Sequence, residues 1–477
     1  MSNSSSLASK RIQNLLDDNS FVEIGALVSA RATDFNMKQI DTPADGVVTG
    51  YGIINGNLVY VYSQDSTVLG GSIGEMHAKK IAKIYDMAMK MGAPVIGLID
   101  SAGIRLQEAT DALNGFGKIY QRQAMASGVI PQITAVFGNC GGGLAMLTTL
   151  SDFTFMVDGK AKLFVNTPNS IEGNTIAKCD TSSASYQSEE SGIVDVVATE
   201  EDALAQIRDL VSFLPANNEN DFSFDDCDDD LNRACENIEN AMADSSMVLS
   251  TISDNSRFFE VKADYAKEMV TGFIKLNGAT VGCVANRSKV YDENAEVVAE
   301  FDVALSAKGC EKAAEFINFC DAFEIPVLSL TNVKGYVATT CSEKRIAKAA
   351  AKLTYAFANA TVPKVNVIMG EAFGSAYIAM NSKSIGADIT IAWDGAKIGM
   401  MDSKLAAKII CDGQGGDSID ACAKEYDELQ NSVVSAARRG YVDQIIDAVD
   451  TRKYVIGAFE MLFTKSEGRP DKKHGTV

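Results

Sequence analysis

Residues 94–107 read PVIGLIDSAGIRLQ and residues 326–336 read PVLSLTNVKGY. Each is a proline, a short apolar run of strand type and a turn that carries glycine. The next strand of this kind opens at Pro131 (PQITAVFGNCGGGLAM) and at Pro363 (PKVNVIMGEAFGSAYIAM), 37 residues further on in both places. At a constant offset of 232, Gly103 meets Gly335, Gly138 meets Gly370 and Gly142 meets Gly374. Upstream, Thr49-Gly50-Tyr51 with Asn55-Gly56 meets Thr271-Gly272-Phe273 with Asn277-Gly278 at an offset of 222. Asp18-Asn19-Ser20 is echoed by Asp254-Asn255-Ser256. Two registers that hold over several positions identify a duplicated domain.

The 477 residues exceed what one core organises and suit two domains. We expect an N-terminal domain over 1–215, an acidic linker over 216–245 and a C-terminal domain over 246–477. The linker expectation rests on the Asp- and Asn-rich stretch SFLPANNENDFSFDDCDDDLN at 212–232, read as solvated because it lacks periodic apolar residues. In each half, apolar strands (94–99, 132–137 and 153–157 in the first) alternate with helical stretches such as 77–90. That pattern argues for a layered α/β fold with largely parallel pairing.

The net charge of −20 disfavours nucleic acid as a partner. No apolar leader follows Met1 and no apolar run is long enough to span a bilayer, so the expected location is the cytoplasm. Ten scattered cysteines form no CxxC pair and read as reduced thiols, with no zinc ribbon. With two histidines, His77 and His474, a His-rich metal site is excluded by number and imidazole-based nucleophilic catalysis has little to draw on. The expectation is no metal and a chemistry that does without histidine.

Residues 138–147 read GNCGGGLAML, a strand end, three glycines and a helix start. Glycine admits close backbone approach. A helix N-terminus leaves N–H groups unpaired at the positive end of its dipole, which suits a developing oxyanion. Alone, such a turn is better explained as a tight crossover. Its copy at 370–376, GEAFGSA, makes two equivalent oxyanion turns the better reading. The P-loop spacing is absent, which disfavours nucleotide hydrolysis.

Further stretches make the chain resemble a known family. They include Asp45-Gly46-Val47-Val48-Thr49-Gly50-Tyr51-Gly52, Gly70-Gly71-Ser72 with Glu75-Met76-His77-Ala78-Lys79-Lys80, and Asp100-Ser101-Ala102-Gly103-Ile104-Arg105-Leu106-Gln107-Glu108. Lys308-Gly309, Phe319-Cys320-Asp321-Ala322-Phe323, Arg439-Gly440-Tyr441-Val442-Asp443 and Lys472-Lys473-His474-Gly475 continue the likeness, which runs from Arg11 to His474. The chain resembles the carboxyltransferases: the β subunits of propionyl-CoA and acetyl-CoA carboxylases and the α subunits of biotin-dependent acyl-CoA decarboxylases. The resemblance implies two tandem crotonase-like (ClpP/crotonase) α/β domains, assembled as a trimer-based hexamer. It implies carboxyl transfer between carboxybiotin and a short acyl-CoA such as propionyl-CoA or acetyl-CoA. The alternative it carries is the α subunit of a sodium-pumping methylmalonyl-CoA or malonyl-CoA decarboxylase, peripheral to the inner membrane. Biotin would arrive on a separate carboxyl carrier protein, with a biotin carboxylase or a membrane decarboxylase subunit as a further partner.

On the residues themselves, the resemblance places the catalytic amides at Gly142 and Gly143 for the thioester oxygen and at Ser375 and Ala376 for the ureido oxygen of biotin. It places substrate contacts at Gly103, Ile104, Arg105, Gly141, Gly335, Tyr336, Gly374, Tyr377 and Ile378. Two departures from the family pattern stand out. Val333-Lys334-Gly335-Tyr336 replaces Val-Pro-Gly-Phe, and Gly374-Ser375-Ala376 replaces Gly-Gly-Ala. Arg105 reads equally as a CoA phosphate contact or as an ion pair with Glu108. Lys79, Lys80 and Lys308 read as solvated, and His77 as a hydrogen-bonded helix residue. Ala88-Met89-Lys90-Met91 matches a biotinylation tetrapeptide, but Lys90 ends a helix rather than sitting on a hairpin, so it is not an acceptor.

Overall fold

The computed structural model describes residues 6–31, 41–219, 225–292, 294–412 and 416–470. Residues 472–475, which close the family likeness, lie outside the described residues, as do 220–224 of the expected linker. The chain forms two compact units, Met1–Ser223 and Phe224–Val477.

Among its described residues unit 1 has eight strands: β1 (Val22–Glu23), β2 (Val47–Ile54), β3 (Asn57–Gln64), β4 (Val95–Ser101), β5 (Gln132–Gly141), β6 (Phe153–Val157), β7 (Lys162–Phe164) and β8 (Val196–Ala198). They form one sheet in the order β1-β2-β3-β4-β5-β6-β8, with β7 on the end of β5. Its helices are α1 (Leu7–Leu15), α2 (Glu75–Met91), α3 (Ala109–Ala126), α4 (Gly143–Thr149) and α5 (Glu200–Phe213). From β3 onward the pairing is parallel, and strands buried on both faces read as continuous apolar runs, as at 95–99.

Unit 2 repeats this plan with β9 (Phe258–Val261), β10 (Met269–Leu276), β11 (Ala279–Asn286), β12 (Lys289–Tyr291), β13 (Val297–Glu300), β14 (Val327–Val333), β15 (Lys364–Phe373), β16 (Ile389–Trp393), β17 (Lys397–Gly399) and β18 (Gln444–Ile446). The main sheet runs β9-β10-β11-β14-β15-β16-β18, with β17 on β15. Helices α6 (Ser245–Ile252), α7 (Ala307–Ala322), α8 (Thr340–Glu343), α9 (Ile346–Asn359), α10 (Gly374–Ala379), α11 (Ser403–Ile410), α12 (Gly416–Tyr426), α13 (Val433–Arg438) and α14 (Thr451–Met461) accompany it.

The two sequence registers acquire a physical cause here. Asn55-Gly56 and Asn277-Gly278 are the hairpin turns of β2–β3 and β10–β11, all four at positive φ as a tight two-residue hairpin demands. The change of offset from 222 to 232 falls between β11 and α7, where unit 2 carries the β12–β13 ribbon. Beyond it the copies realign. Val95 pairs with Gln132 in unit 1 and Val327 with Lys364 in unit 2, and both ladders shift register at the same place, after Ile99 and after Thr331.

Three expectations are corrected. The stretch 225–245 is not a solvated connector. Cys235 and Ile238 are buried in the unit 2 core. The acidic run supplies counter-ions: Asp229 holds Arg233 at 3.0 Å and lies 3.5 Å from the fully buried Arg452, and Arg233 above all keeps its carboxyl down at about 2. Second, Cys411 and Cys422 form a disulfide rather than free thiols, because α11 and α12 pack together and bring them close without a CxxC spacing. Third, Lys80 is buried, its ammonium donating to the carbonyls of Ala44 and Val47. Its counterpart Lys312 donates to three, those of Lys262, Tyr265 and Met269 at 2.7, 2.8 and 2.6 Å. Burial pushes the pKa of both lysines down.

Candidate active site

The bulge after Ile99 lets β5 run on past β4, so its end meets the short strand β7 before α4 starts. Gly142 joins strand to helix at φ 63 and ψ −130, and Gly374 does so in unit 2 at φ 61. Only glycine adopts such backbone angles without strain.

Gly142 was expected as an oxyanion donor, but its N–H already donates to the Phe164 carbonyl at 2.9 Å. The β5–β7 pairing takes that amide. Gly143 is the first residue of α4, so its N–H has no intrahelical acceptor. Its peptide plane is held because the Gly142 carbonyl accepts from Ala145 N–H at 3.1 Å. On the neighbouring turn, Gly103 N–H donates to Ser101 Oγ at 3.1 Å. Ile104 stands opposite Ile73 in an isolated bridge closed by Ile73 N–H to Gly103 O and Arg105 N–H to Ile73 O, so the Ile104 N–H stays outside it. Ile104 and Gly143 both line one cavity of about 770 Å³, with Leu113, Phe116, Tyr120 and Phe164 supplying apolar walls. Tyr120, unmarked in the sequence, donates its hydroxyl to the Gly143 carbonyl at 2.5 Å.

Unit 2 repeats this wiring. Leu305 N–H donates to Gly335 O and Val337 N–H to Leu305 O, leaving the Tyr336 N–H outside the bridge as Ile104 is. Gly374, Ser375 and Ala376 open α10, and their N–H groups lie in its first turn. Ser375 is exposed, Ile378 half-buried, and Ala376 and Tyr377 buried. Burial raises the Tyr336 phenol and the neighbouring Ser375 side chain opposes the rise, so the two departures from the family pattern lie side by side. Lys334, whose partner was not legible, pairs with Glu371 at 2.9 Å.

Arg105 is not a phosphate contact. Its side chain is 2% exposed and lies 2.7 Å from both Asp45 and Glu108. These carboxylates also cap α2, whose own N-cap Gly74 has no side chain: Glu108 accepts from Glu75 N–H at 2.5 Å and Asp45 from His77 N–H at 2.7 Å. Burial raises Asp45 to about 6 against the pull of Arg105. His77 is buried, its Nδ1 2.9 Å from the Asp45 carbonyl and its Nε2 3.2 Å from Gln64, and burial holds its pKa down to about 3. It is a structural histidine, as its helix position suggested. Lys79 is half exposed and pairs with Glu75, and Lys308 lies over the Tyr265 ring. Among the described residues no helix is long and apolar enough to cross a membrane.

The two units present matching strand-end turns, each with backbone N–H groups at a helix start, an arrangement suited to holding an oxyanion. The carboxyl transferase domain family matches residues 1–477, and the chain belongs to it. It is 40% identical over 482 residues to the methylmalonyl-CoA decarboxylase subunit alpha of Veillonella parvula, covering 98% of this chain and 92% of that one. It is 41% identical over 484 residues to the propionyl-CoA carboxylase beta chain of Roseobacter denitrificans, covering 98% and 93%. Among solved structures, the transcarboxylase 12S hexamer with methylmalonyl-coenzyme A and methylmalonic acid bound superposes with a TM-score of 0.91 at 37% identity, covering 98% of this chain and 92% of that one. The fold is the crotonase-like carboxyltransferase fold in tandem.

Proposed function

We propose that this chain is the carboxyltransferase subunit of a biotin-dependent acyl-CoA carboxylase, moving a carboxyl group between biotin and a short acyl-CoA of propionyl or acetyl type. The observation that carries this reading is the doubled donor pair, Ile104 with Gly143 in unit 1 and Tyr336 with Ser375 in unit 2. Unit 1 takes the thioester and unit 2 the biotin. Biotin is tethered to another protein in this reading and arrives as a substrate, supplying the ureido nitrogen that carries the carboxyl group.

Acidity next to a thioester rises when negative charge on its oxygen is stabilised. Two preorganised N–H donors contribute several kcal/mol to that, on the order of 3 kcal/mol each. Gly143 and Ile104 occupy that role, and Tyr120 and the Ala145 N–H hold the turn in place. Ser375 and Tyr336 present the same pair to the ureido oxygen, with Ala376 as the next free amide of the helix start. No histidine takes part, in keeping with a buried, neutral His77.

The similarity to the decarboxylase alpha subunit supports a second reading, the same half-reaction run from a methylmalonyl-CoA or malonyl-CoA towards biotin. In either case the protein works as a trimer-based hexamer in the cytoplasm, with a biotin carboxyl carrier protein and a biotin carboxylase or membrane decarboxylase subunit as partners. The test is loss of carboxylate from malonyl-CoA and methylmalonyl-CoA by the purified chain, with and without free biotin. Biotin-dependent loss is expected, and the faster thioester names the substrate. Absence of any biotin dependence with either thioester would sink the proposal.

A further inference from the structure

Unit 2 carries charge at two positions whose unit 1 counterparts are uncharged. Ala102 and Asn139 line the cavity of unit 1. At the offset of 232 their counterparts are Lys334 and Glu371. These form an ion pair at 2.9 Å, with side chains 56% and 31% exposed. Both main chains are pinned. Lys334 N–H donates to Val303 O at 2.8 Å, and Glu371 N–H donates to Asn332 Oδ1 at 3.0 Å. Asn332 N–H donates in turn to Asn286 Oδ1 at 3.0 Å. The pair therefore stands on two braced turns, the same turns that carry the Tyr336 and Ser375 donors.

An ion pair this exposed contributes little to stability. It does place one ammonium, with three donors and a single carboxylate partner among the described residues, beside the second oxyanion site. Glu371 is an acceptor only and repels a second anion. The group that crosses this site is itself a carboxylate, whereas the backbone amides act on charge that develops at the ureido oxygen.

We propose that Lys334 seats the carboxylate in transit on the biotin side, with Glu371 as the counter-ion it leaves. This rests on the assignment of unit 2 to biotin. Lys334 then acts on binding of the carboxylated form, and Glu371 sets how strongly that form is preferred.

The test is equilibrium binding, by calorimetry on the full chain, of the methyl esters of biotin and of N1-carboxybiotin. The esters remove the valeryl carboxylate as a competitor. The wild-type chain should bind the carboxylated ester roughly tenfold more tightly, the range of one charge-assisted contact. Lys334→Met should abolish that preference, and Glu371→Gln should enlarge it. The KM for the carboxylated carrier should move the same way in each variant, with the KM for acyl-CoA unchanged. Equal binding of the two esters by the wild-type chain overturns the proposal alone. Shifts of the same sign in both variants overturn it too, since a merely structural pair loses equally from either end. Binding of neither ester removes the assignment of unit 2 to biotin, and this proposal with it.

Discussion

Unit 1 and unit 2 share the sheet order, the bulge after the fourth core strand, the glycine at positive φ and the pair of free amides. They differ in what surrounds those amides. Around Gly143 and Ile104 the walls are apolar or uncharged, with Tyr120, Phe116 and Asn139. Near Ser375 and Tyr336 stand an ammonium and a carboxylate. The copies have kept their main-chain chemistry and diverged in side chains. That is the pattern expected when one oxyanion problem is solved twice, once for a thioester and once for a ureido group.

The sharpest way to break the comparison is to delete one donor at a time. Gly143 is the first helical residue, where the missing N–H and fixed φ of proline are tolerated. A Cβ there would sit 2.8 Å from the Tyr120 hydroxyl, a penalty that alanine shares. Gly143→Pro should therefore fall about 10²–10³-fold below Gly143→Ala in the rate of carboxyl transfer. Ser375→Pro should fall as far below Ser375→Ala, with calorimetric affinity for acyl-CoA unchanged. Equal rates within either pair would remove that amide from catalysis.

The next effect concerns the buried lysines. Lys312 satisfies three carbonyls and Lys80 two. Lys312→Met should cost about 3 kcal/mol in denaturant unfolding, and Lys80→Met about 2 kcal/mol. Costs in the reverse order would show that carbonyl satisfaction is not what these lysines supply.

Acid separates the units further, because the counterpart of His77 in unit 2 is Gly309. The folded His77 stays neutral down to about pH 3, whereas the unfolded chain takes its proton near its ordinary pKa. The unfolded state thus binds more protons in between, and stability falls as pH drops from about 6.5 towards 3. Between pH 7 and 5 this amounts to about 2 kcal/mol. Asp45 offsets part of it, since its raised pKa makes the folded state take up a proton below about pH 6. His77→Gln should flatten the pH dependence of unfolding stability in denaturant. An unchanged slope would show that the histidine is not buried and neutral.

The smallest effect should come from Tyr120→Phe. Loss of its bond to the Gly143 carbonyl is worth about 1 kcal/mol, read as a several-fold lower kcat with little change in the KM for acyl-CoA. A change confined to KM would make Tyr120 a wall of the cavity and nothing more.

The duplication, the strands around 94–99 and 132–137 and both glycine turns were legible because glycine, proline and apolar runs carry their meaning locally. The state of the Gly142 amide was not. It depends on a three-residue strand, Lys162–Phe164, whose pairing no periodicity announces. Lys80 was misread because a long polar side chain is solvated by default, and only the fold shows which carbonyls converge on its end. The acidic run at 225–230 was misread for the converse reason: its partners, Arg233 and Arg452, are revealed only by packing. Arg105 was open in the sequence, and the converging Asp45 and Glu108 decide it. Lys334 was conspicuous as a departure, but Glu371 lies too far along the chain to be named as its partner.

The free amides of Gly143 and Ser375 belong to no side chain. A conventional alanine scan would leave both donors in place, since alanine keeps the main-chain N–H. Selection acting residue by residue meets the same blindness. The walls around each turn can be rewritten, while main-chain N–H groups stay out of reach of most substitutions.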